Sequence, residues 1–204
     1  MIHELRTYDL KPRSLDIFAD NVKAKLAKRL EYSDLGAFWY TEIGPLNQVV
    51  HLWPYRDGLH RSEIRSRVIS DGIWPPKNDD LVIRMQSDIM IPAPYMNPLE
   101  EKNYGPIYEM RTYYYKPGEI PIVLDKWASA IIERQKYSPL VGCWYSDVGQ
   151  LNKLVHIWAY KSYEHRSETR SEVVAKGVWP PKGGVPALTM ETKILLPFDF
   201  SPLK

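Results

Sequence analysis

The sequence predicts an α+β protein built from two copies of one four-stranded unit. Two observations carry this prediction. Residues 107–197 repeat residues 2–92 without a gap, so that each residue of the first copy corresponds to the one 105 positions later. Within a copy, segments with the period of a strand and segments with the period of a helix follow in the order β-α-β-β-α-β. That order is typical of a ferredoxin-like unit.

The two copies agree in four stretches of sequence. IHELRTYDLKP corresponds to IYEMRTYYYKP, and FWYTEIGPLNQVVHLWPY corresponds to CWYSDVGQLNKLVHIWAY. HRSEIRSRV then matches HRSETRSEV, and GIWPPK matches GVWPPK. We therefore divide the chain into a first repeat (1–92), a proline-rich linker (93–106) and a second repeat with a C-terminal tail (107–204). Each repeat is expected to fold as a unit.

The first half of a repeat is predicted to contain a strand and a helix. Residues 2–10 alternate with the period of two that is typical of a strand. Residues 14–31 predict an amphipathic helix, with Ser14 as its N-cap. Its apolar residues recur at spacings of three and four: Leu15, Phe18, Val22, Leu26 and Leu30.

The second half of a repeat is predicted to contain a hairpin, a helix and a final strand. Residues 36–43 and 47–55 are aromatic and β-branched runs joined at Gly44, which predicts a hairpin. Residues 57–71 predict a helix that Asp57 caps and that ends before Trp74-Pro75-Pro76. Residues 81–91 complete the unit as a strand.

A single unit of this kind leaves one face of its sheet uncovered, because both helices pack on the other face. Two units can bury their open faces against each other, as in a dimeric α+β barrel formed within one chain. In the strand 47–55, Val50 and Leu52 are assigned to the helix-covered face. The alternate residues, including His51 and Trp53, are then expected to face the barrel interior.

Composition excludes several classes of protein. A formal charge of +2 and the lack of isolated like-charged blocks do not predict a nucleic-acid partner. No apolar run approaches the roughly 20 residues of a membrane span, and no secretory signal opens the chain, so a cytoplasmic location is expected. Cys143, the only cysteine, can form neither an intrachain disulfide nor a cysteine-based metal site, and it is expected to fill space.

The ordered motifs resemble the NIPSNAP family. They are the strand E-x-R-x-Y at Glu4 and Glu109, the hairpin Asn-x-Val-x-His-x-Trp-x-Tyr, and the following His-Arg-Ser-x-x-Arg helix. The resemblance covers both repeats and implies the dimeric α+β barrel fold. It implies no particular reaction, because the family has no agreed enzymatic activity and is linked only in general terms to vesicle transport and mitochondria. Related barrels include oxygenases, dehydratases and haem-binding enzymes.

Fourteen residues are candidates for a ligand pocket, because aromatic, imidazole and charged side chains recur at equivalent positions. They are Glu4, Arg6, Tyr8, Trp39, His51, Trp53, Tyr55, Glu109, Arg111, Tyr113, Trp144, His156, Trp158 and Tyr160. His51 and His156 are the candidate catalytic residues, since imidazole can act as a base near neutral pH. The alternative for both is a hydrogen-bonded histidine in an aromatic core. No metal site and no cofactor are predicted, with axial ligation of haem kept as a minor alternative.

Arginines at helix positions are candidates for a structural network with Glu4 and Glu109. They are Arg61, Arg65, Arg166 and Arg170. Each i,i+4 pair places two like charges on one helix face, so an acidic partner from a strand or from the other copy is expected. The face that Glu4, Arg6 and Tyr8 occupy is left open. Cavity-facing arginines could hold a carboxylate or another anion.

Three functions are consistent with these residues. The first is a NIPSNAP-like protein of unassigned activity that binds a small molecule in the barrel interior. The second is a cofactor-independent oxygenase or isomerase with His51 or His156 as general base. The third is a structural or interaction module without a ligand. Association of two chains into a homo-oligomer is left open by the sequence.

Overall fold

The computed structural model describes residues 1–204. The first repeat contains β1 (Ile2–Leu10), α1 (Leu15–Leu30), β2 (Ala37–Ile43), β3 (Gln48–Tyr55), α2 (Gly58–Ser70) and β4 (Val82–Pro92). The second repeat contains β5 (Ile107–Tyr114), α3 (Ile120–Arg134), β6 (Leu140–Val148), β7 (Lys153–Tyr160), α4 (Tyr163–Ala175) and β8 (Thr189–Pro197). The order of elements is the predicted one in both repeats. No helix has both the length and the apolar character that crossing a membrane requires.

Of the two predicted N-caps, the structure shows the one of α2 and not the one of α1. Asp57 caps α2, because its side chain accepts a hydrogen bond from the His60 amide at 2.8 Å. Ser14 stands at the N-cap position of α1, but its hydroxyl donates to the Lys11 carbonyl instead of capping the helix. Leu30 was expected on the apolar stripe of α1 and is 42% exposed, since Arg29 takes the inward position at this end of the helix.

The strands of both repeats form one closed barrel. Its order is β1-β3-β2-β8-β5-β7-β6-β4, and every neighbouring pair is antiparallel. The last strand of each repeat joins the two halves, because β4 pairs with β6 and β8 pairs with β2. The predicted barrel of two ferredoxin-like units is therefore confirmed.

The barrel interior is filled by side chains from all eight strands. Its large buried members include Trp39, Trp144, Met90 and Tyr108. The linker covers this interior in part, since Leu99 packs against the same cluster. Two further apolar clusters lie between the barrel and the helices, one in each repeat.

The assignment of the two faces of β3 was wrong. Val50 and Leu52 belong to the barrel interior, whereas His51, Trp53 and Tyr55 lie on the side covered by α1 and α2. Register places Glu4 opposite Trp53 and Arg6 opposite His51, so these β1 residues share the helix-covered side. In the second repeat, His156, Trp158 and Tyr160 lie on the corresponding side, against α3. The expectation failed because both faces of β3 are apolar, so periodicity does not indicate which one the helices cover.

The repeats meet at two seams, where β4 pairs with β6 and where β8 pairs with β2. The two seams carry different charges. At the seam of β4 with the second repeat, Lys153 forms a buried salt bridge with Asp88, with Nζ and Oδ2 2.8 Å apart. The equivalent positions at the other seam are Gln48 and Lys193, whose side chains form a hydrogen bond. Gly149 lies against Asp88, and a Cβ added there would overlap its carboxylate. The repeats therefore differ where they meet.

Replacing Lys153 with Met should lower the free energy of unfolding by about 3–5 kcal/mol, because the substitution leaves the Asp88 carboxylate buried without its cation. Urea unfolding measures this change. The matched control is Lys176→Met, which removes an exposed i,i+4 partner of Glu172 and should leave stability unchanged. Equal stability of Lys153→Met and the wild type would show that the buried pair contributes nothing.

Candidate functional site

A buried carboxylate organises the helix-covered side of the second repeat. Glu109 on β5 is fully buried, and Arg166 of α4 donates a hydrogen bond to its Oε1 at 2.6 Å. Arg111 and Arg170 approach the same oxygen at 3.1 and 3.6 Å. Thr192 of β8 donates a further hydrogen bond at 3.1 Å. The acidic partner of the α4 arginines is thus a strand residue of their own repeat.

The first repeat contains the equivalent arrangement. Glu4 accepts hydrogen bonds from Arg61 and from the Ser87 hydroxyl, each at 2.6 Å. Arg6 and Arg65 lie 3.4 and 3.8 Å from its carboxylate oxygens. Burying a carboxylate is unfavourable unless cations and donors compensate it. The sequence motifs Glu-x-Arg and His-Arg-Ser-x-x-Arg therefore meet in one buried network in each repeat.

A further buried arginine belongs to each network. In the second repeat, Arg134 donates to the Tyr160 hydroxyl at 3.1 Å, and its guanidinium lies 4.1 Å from the centre of the Trp158 ring. Tyr160 in turn donates to Glu109 Oε2 at 3.3 Å. Arg29 of the first repeat has the same contacts with Tyr55 and Trp53. Sequence reasoning missed both arginines, although their identity at equivalent helix positions was a usable signal.

Ionisation of Glu109 is favoured despite its burial. Burial opposes the charged form, but the hydrogen bond from Arg166 and the charges of Arg170 and Arg111 outweigh it and lower the pKa of Glu109 to about 2. The pKa of Glu4 is also lowered, because the hydrogen bonds from Arg61 and Ser87 outweigh its burial. Several guanidiniums thus surround one carboxylate in each repeat, so that the local charge is positive.

The hydrogen bonds of the two candidate histidines fix their protonation. Trp158 Nε1–H donates to His156 Nδ1 at 2.8 Å, and Trp53 Nε1–H donates to His51 Nδ1 at 2.7 Å. Indole nitrogen is only a donor, so each Nδ1 carries a lone pair and each neutral ring carries its proton on Nε2. Both Nε2 atoms are buried and have no hydrogen-bond partner. Each histidine therefore presents an unused N–H donor.

Both imidazoles are also held in the neutral form. Burial, with the nearby charge of Arg111 as a smaller cause, lowers the pKa of His156 to about 3. Burial lowers the pKa of His51 well below its ordinary value. A base at Nε2 would require the proton to move to Nδ1, where it would meet the tryptophan N–H. The same geometry opposes coordination of a metal or a haem iron through Nε2.

The second repeat has a cavity of about 420 Å³ between the sheet and its helices. Arg111, Arg134 and Arg170 line it together with His156. Its aromatic and apolar walls are formed by Tyr113, Tyr115, Trp127, Trp158, Tyr160, Val173, Trp179, Pro180 and Pro181. We call this space the arginine cavity. Its wall includes the tryptophan and both prolines of the Trp-Pro-Pro motif, which the sequence indicated first as a helix stop.

The first repeat has a smaller cavity, of about 270 Å³, at the equivalent place. Tyr8, His51 and Trp74 line it, as their counterparts line the arginine cavity. Arg6, Arg29 and Arg65 do not line it. We call this space the apolar cavity. The two repeats therefore carry cavities of different chemistry.

The structure brings twelve of the fourteen sequence candidates together in two groups of six, one on the helix-covered side of each repeat and neither in the barrel interior. Six candidates of the second repeat lie at or beside the arginine cavity: Glu109, Arg111, Tyr113, His156, Trp158 and Tyr160. Trp39 and Trp144 do not join them, because both point into the barrel interior. There, Trp144 donates to His3 Nδ1 at 2.8 Å, whereas Trp39 Nε1 has no partner. Trp127, whose counterpart is Val22, is a wall residue that the repeat alone did not indicate.

Cys143 is buried in the layer between the barrel and α3, where its counterpart is Phe38. Its sulfur lies 3.6 Å from the Tyr95 hydroxyl. Burial raises the pKa of its thiol to about 12, so the side chain is neutral and a poor nucleophile. It occupies volume in the core of the second repeat.

Comparison with known proteins assigns the family. The NIPSNAP family model matches residues 3–97 and again residues 108–202. The chain belongs to the NIPSNAP family. Protein NipSnap homolog 3A of Pongo abelii is 29% identical over 214 residues, which cover 100% of this chain and 86% of that protein. Protein NipSnap of Drosophila melanogaster is 28% identical, with 99% of this chain and 78% of that protein covered.

The fold of this NIPSNAP chain extends to proteins of different sequence. A putative monooxygenase of Fusobacterium nucleatum superposes with a TM-score of 0.66 over 96% of this chain and 91% of its own length, at 12% identity. An identity this low establishes a shared barrel and nothing about chemistry.

Proposed function

We propose that this NIPSNAP protein binds a small aromatic molecule with an anionic group in the arginine cavity of its second repeat. The proposal rests on one observation: His156 lines the cavity together with three arginines, and its buried Nε2–H has no hydrogen-bond partner. A buried donor without a partner is unfavourable, and an acceptor atom of a ligand would satisfy it. The proposed ligand therefore places an oxygen near His156.

Charge supports an anionic ligand. Glu109 is the single carboxylate at the centre of the network, whereas Arg111, Arg166 and Arg170 all lie within salt-bridge distance of it. An anion in the cavity would compensate the excess positive charge, and a planar guanidinium suits a carboxylate. Arg170 has the longest of these contacts with Glu109, at 3.6 Å, and is the arginine with the most freedom to contact a ligand.

The walls support an aromatic ligand. Trp127, Trp158 and Trp179 all line the cavity, and the ring centres of Trp127 and Trp179 lie 4.7 Å apart. Flat apolar surfaces of this kind favour stacked or edge-on contacts with a ring. The volume of about 420 Å³ lies within the usual range of small-molecule sites, about 300–1,000 Å³.

The alternative of an oxygenase or isomerase with a histidine base has less support. The tryptophan donors leave His51 and His156 as N–H donors, not bases. In the proposed function, His156 hydrogen-bonds a ligand acceptor and accepts no proton. The cytoplasmic location expected from the sequence and the association of two chains stay predictions.

Calorimetric titration with benzoate, 2-naphthoate and 4-benzoylbenzoate tests the proposed function. We expect at least one of these aromatic carboxylates to bind the purified protein. Arg170→Gln should weaken that binding by about tenfold, equivalent to 1.4 kcal/mol, because it removes one charge-assisted contact.

The matched control is Arg65→Gln, the same substitution at the equivalent position of the first repeat, where the arginine does not line a cavity wall. It should leave the affinity unchanged. Absence of binding by all three carboxylates, or equal affinities of the two variants, would rule out the arginine cavity as an anion site. The second outcome would favour the interpretation of the arginines as a purely structural network.

A further inference from the structure

The apolar cavity of the first repeat differs from the arginine cavity in its wall residues. Phe38 stands where the second repeat has Cys143, and its ring stacks on His51 with centroids 4.6 Å apart. Val22 stands where the second repeat has Trp127, which contacts His156 edge-on at 4.8 Å. The same imidazole is therefore packed against different partners in the two repeats.

Charge in the apolar cavity does not favour an anion. Arg84 is the only cation that lines it, and Arg84 forms a salt bridge with Asp9 at 2.7 Å. Asp79 also lines the cavity and adds a negative charge. The wall is otherwise dominated by apolar side chains, including Phe18, Val22 and Val82. A carboxylate would lose its hydration here without gaining a free cation, which is costly.

One polar group in this cavity nevertheless has no partner. His51 is 2% exposed, its Nδ1 accepts from Trp53, and its Nε2 is buried without a hydrogen bond. The neutral ring therefore carries a single N–H donor without a partner, and the residue lines a largely apolar space. Such a donor matches one uncharged acceptor oxygen on an otherwise apolar molecule.

We propose that the apolar cavity is a second ligand site, which binds a neutral, largely apolar molecule through one carbonyl-type oxygen accepting from His51 Nε2. The volume of about 270 Å³ lies just below the usual range of small-molecule sites, about 300–1,000 Å³, so the ligand is a small one of one or two rings. The two repeats thus bind ligands of different charge at equivalent places, a neutral molecule in the first repeat and an anion in the second. This site is independent of the anion site, because the arginines of the other network do not line it.

Benzophenone tests this site on the intact protein, since it is a neutral aromatic ketone that forms covalent bonds with neighbouring C–H groups on irradiation. We expect saturable binding by calorimetry, and cross-links that mass spectrometry locates in the segment 82–85 or at Phe18. 4-Benzoylbenzoate has the same photochemistry and carries a carboxylate. It should label the second repeat instead.

Two variants make the test specific. Val22→Trp introduces the side chain of the equivalent position and should abolish benzophenone binding by filling the cavity. His51→Phe keeps the ring and removes the donor, and it should weaken binding about tenfold. Circular dichroism checks that each variant is folded. If Val22→Trp does not fold, the affinity of His51→Phe for benzophenone decides the test. Arg170→Gln should leave benzophenone affinity unchanged.

The outcomes separate this proposal from the proposed function. Benzophenone labelling confined to the second repeat, or affinity unaffected by His51→Phe, would overturn the second site. If none of the aromatic carboxylates binds and benzophenone still binds, only the anion site is overturned. Labelling scattered over the surface, without saturation, would also overturn the second site.

Discussion

Glu109→Gln should lower the free energy of unfolding by about 3–5 kcal/mol, because it removes the buried negative charge that three partly exposed guanidiniums surround. For a chain of this size, 1 kcal/mol corresponds to about 2–4 °C in melting temperature, so the expected decrease is roughly 10 °C. Thermal unfolding at pH 7 measures it. Glutamine keeps the shape and one acceptor oxygen of the side chain, so the loss reports charge and not volume.

The control for Glu109→Gln is the same substitution at Glu133. This residue of α3 is exposed and forms a salt bridge with Lys136, and its replacement should leave the melting temperature unchanged. The Glu109 contribution also has a defined pH dependence. Since the folded-state pKa is about 2, below the ordinary value, the stabilisation is complete above about pH 4.5 and disappears as the pH falls toward 2. Equal melting of Glu109→Gln and the wild type would contradict this account.

Acidification from pH 7 to pH 5 should destabilise the protein by about 6 kcal/mol through three buried histidines. Burial lowers the pKa of His3 to about 4 and that of His156 to about 3, and it lowers the pKa of His51 well below its ordinary value. Each ring stays neutral in the folded protein and takes up a proton in the unfolded chain below about pH 6.5. The contribution of the neutral histidines to the free energy of unfolding is therefore complete above that pH and decreases as the pH falls.

Urea unfolding at several pH values between 5 and 7.5 measures this effect as a slope. Each histidine contributes up to about 1.4 kcal/mol per pH unit. His156→Phe should remove about one third of the slope, whatever its effect on stability at pH 7. A slope identical to that of the wild type would show that His156 titrates alike in the folded and the unfolded chain, which would contradict the neutral ring that its hydrogen bond with Trp158 requires.

The local elements of this protein were predictable because their signals are local. The strand at Ile2–Leu10 and the α2 helix after Asp57 agree with the sequence to within a residue, since periodicity and capping involve near neighbours. Repetition at a constant offset also indicated that two units would share one barrel. The equivalence of His51 and His156 followed from the same alignment.

The location of the candidate site was not predictable from the same signals. Both faces of β3 are apolar and both are buried, one inside the barrel by the opposite strands and one outside it by the helices. Alternation therefore identified which residues share a face without indicating which face the helices cover. The network of Glu109 with Arg166 depends on a contact across 57 residues, which a one-dimensional pattern does not specify.

The tandem repeat, the βαββαβ order and the family were predictable, because they depend on residue identity and on spacing along the chain. The position of the histidines beneath the helices and of their proton on Nε2 became clear only from the folded chain. The arginines of the carboxylate network line the cavity of the second repeat only. The physical reason is that protonation, burial and charge compensation depend on neighbours distant in sequence, and those neighbours differ between two otherwise similar repeats.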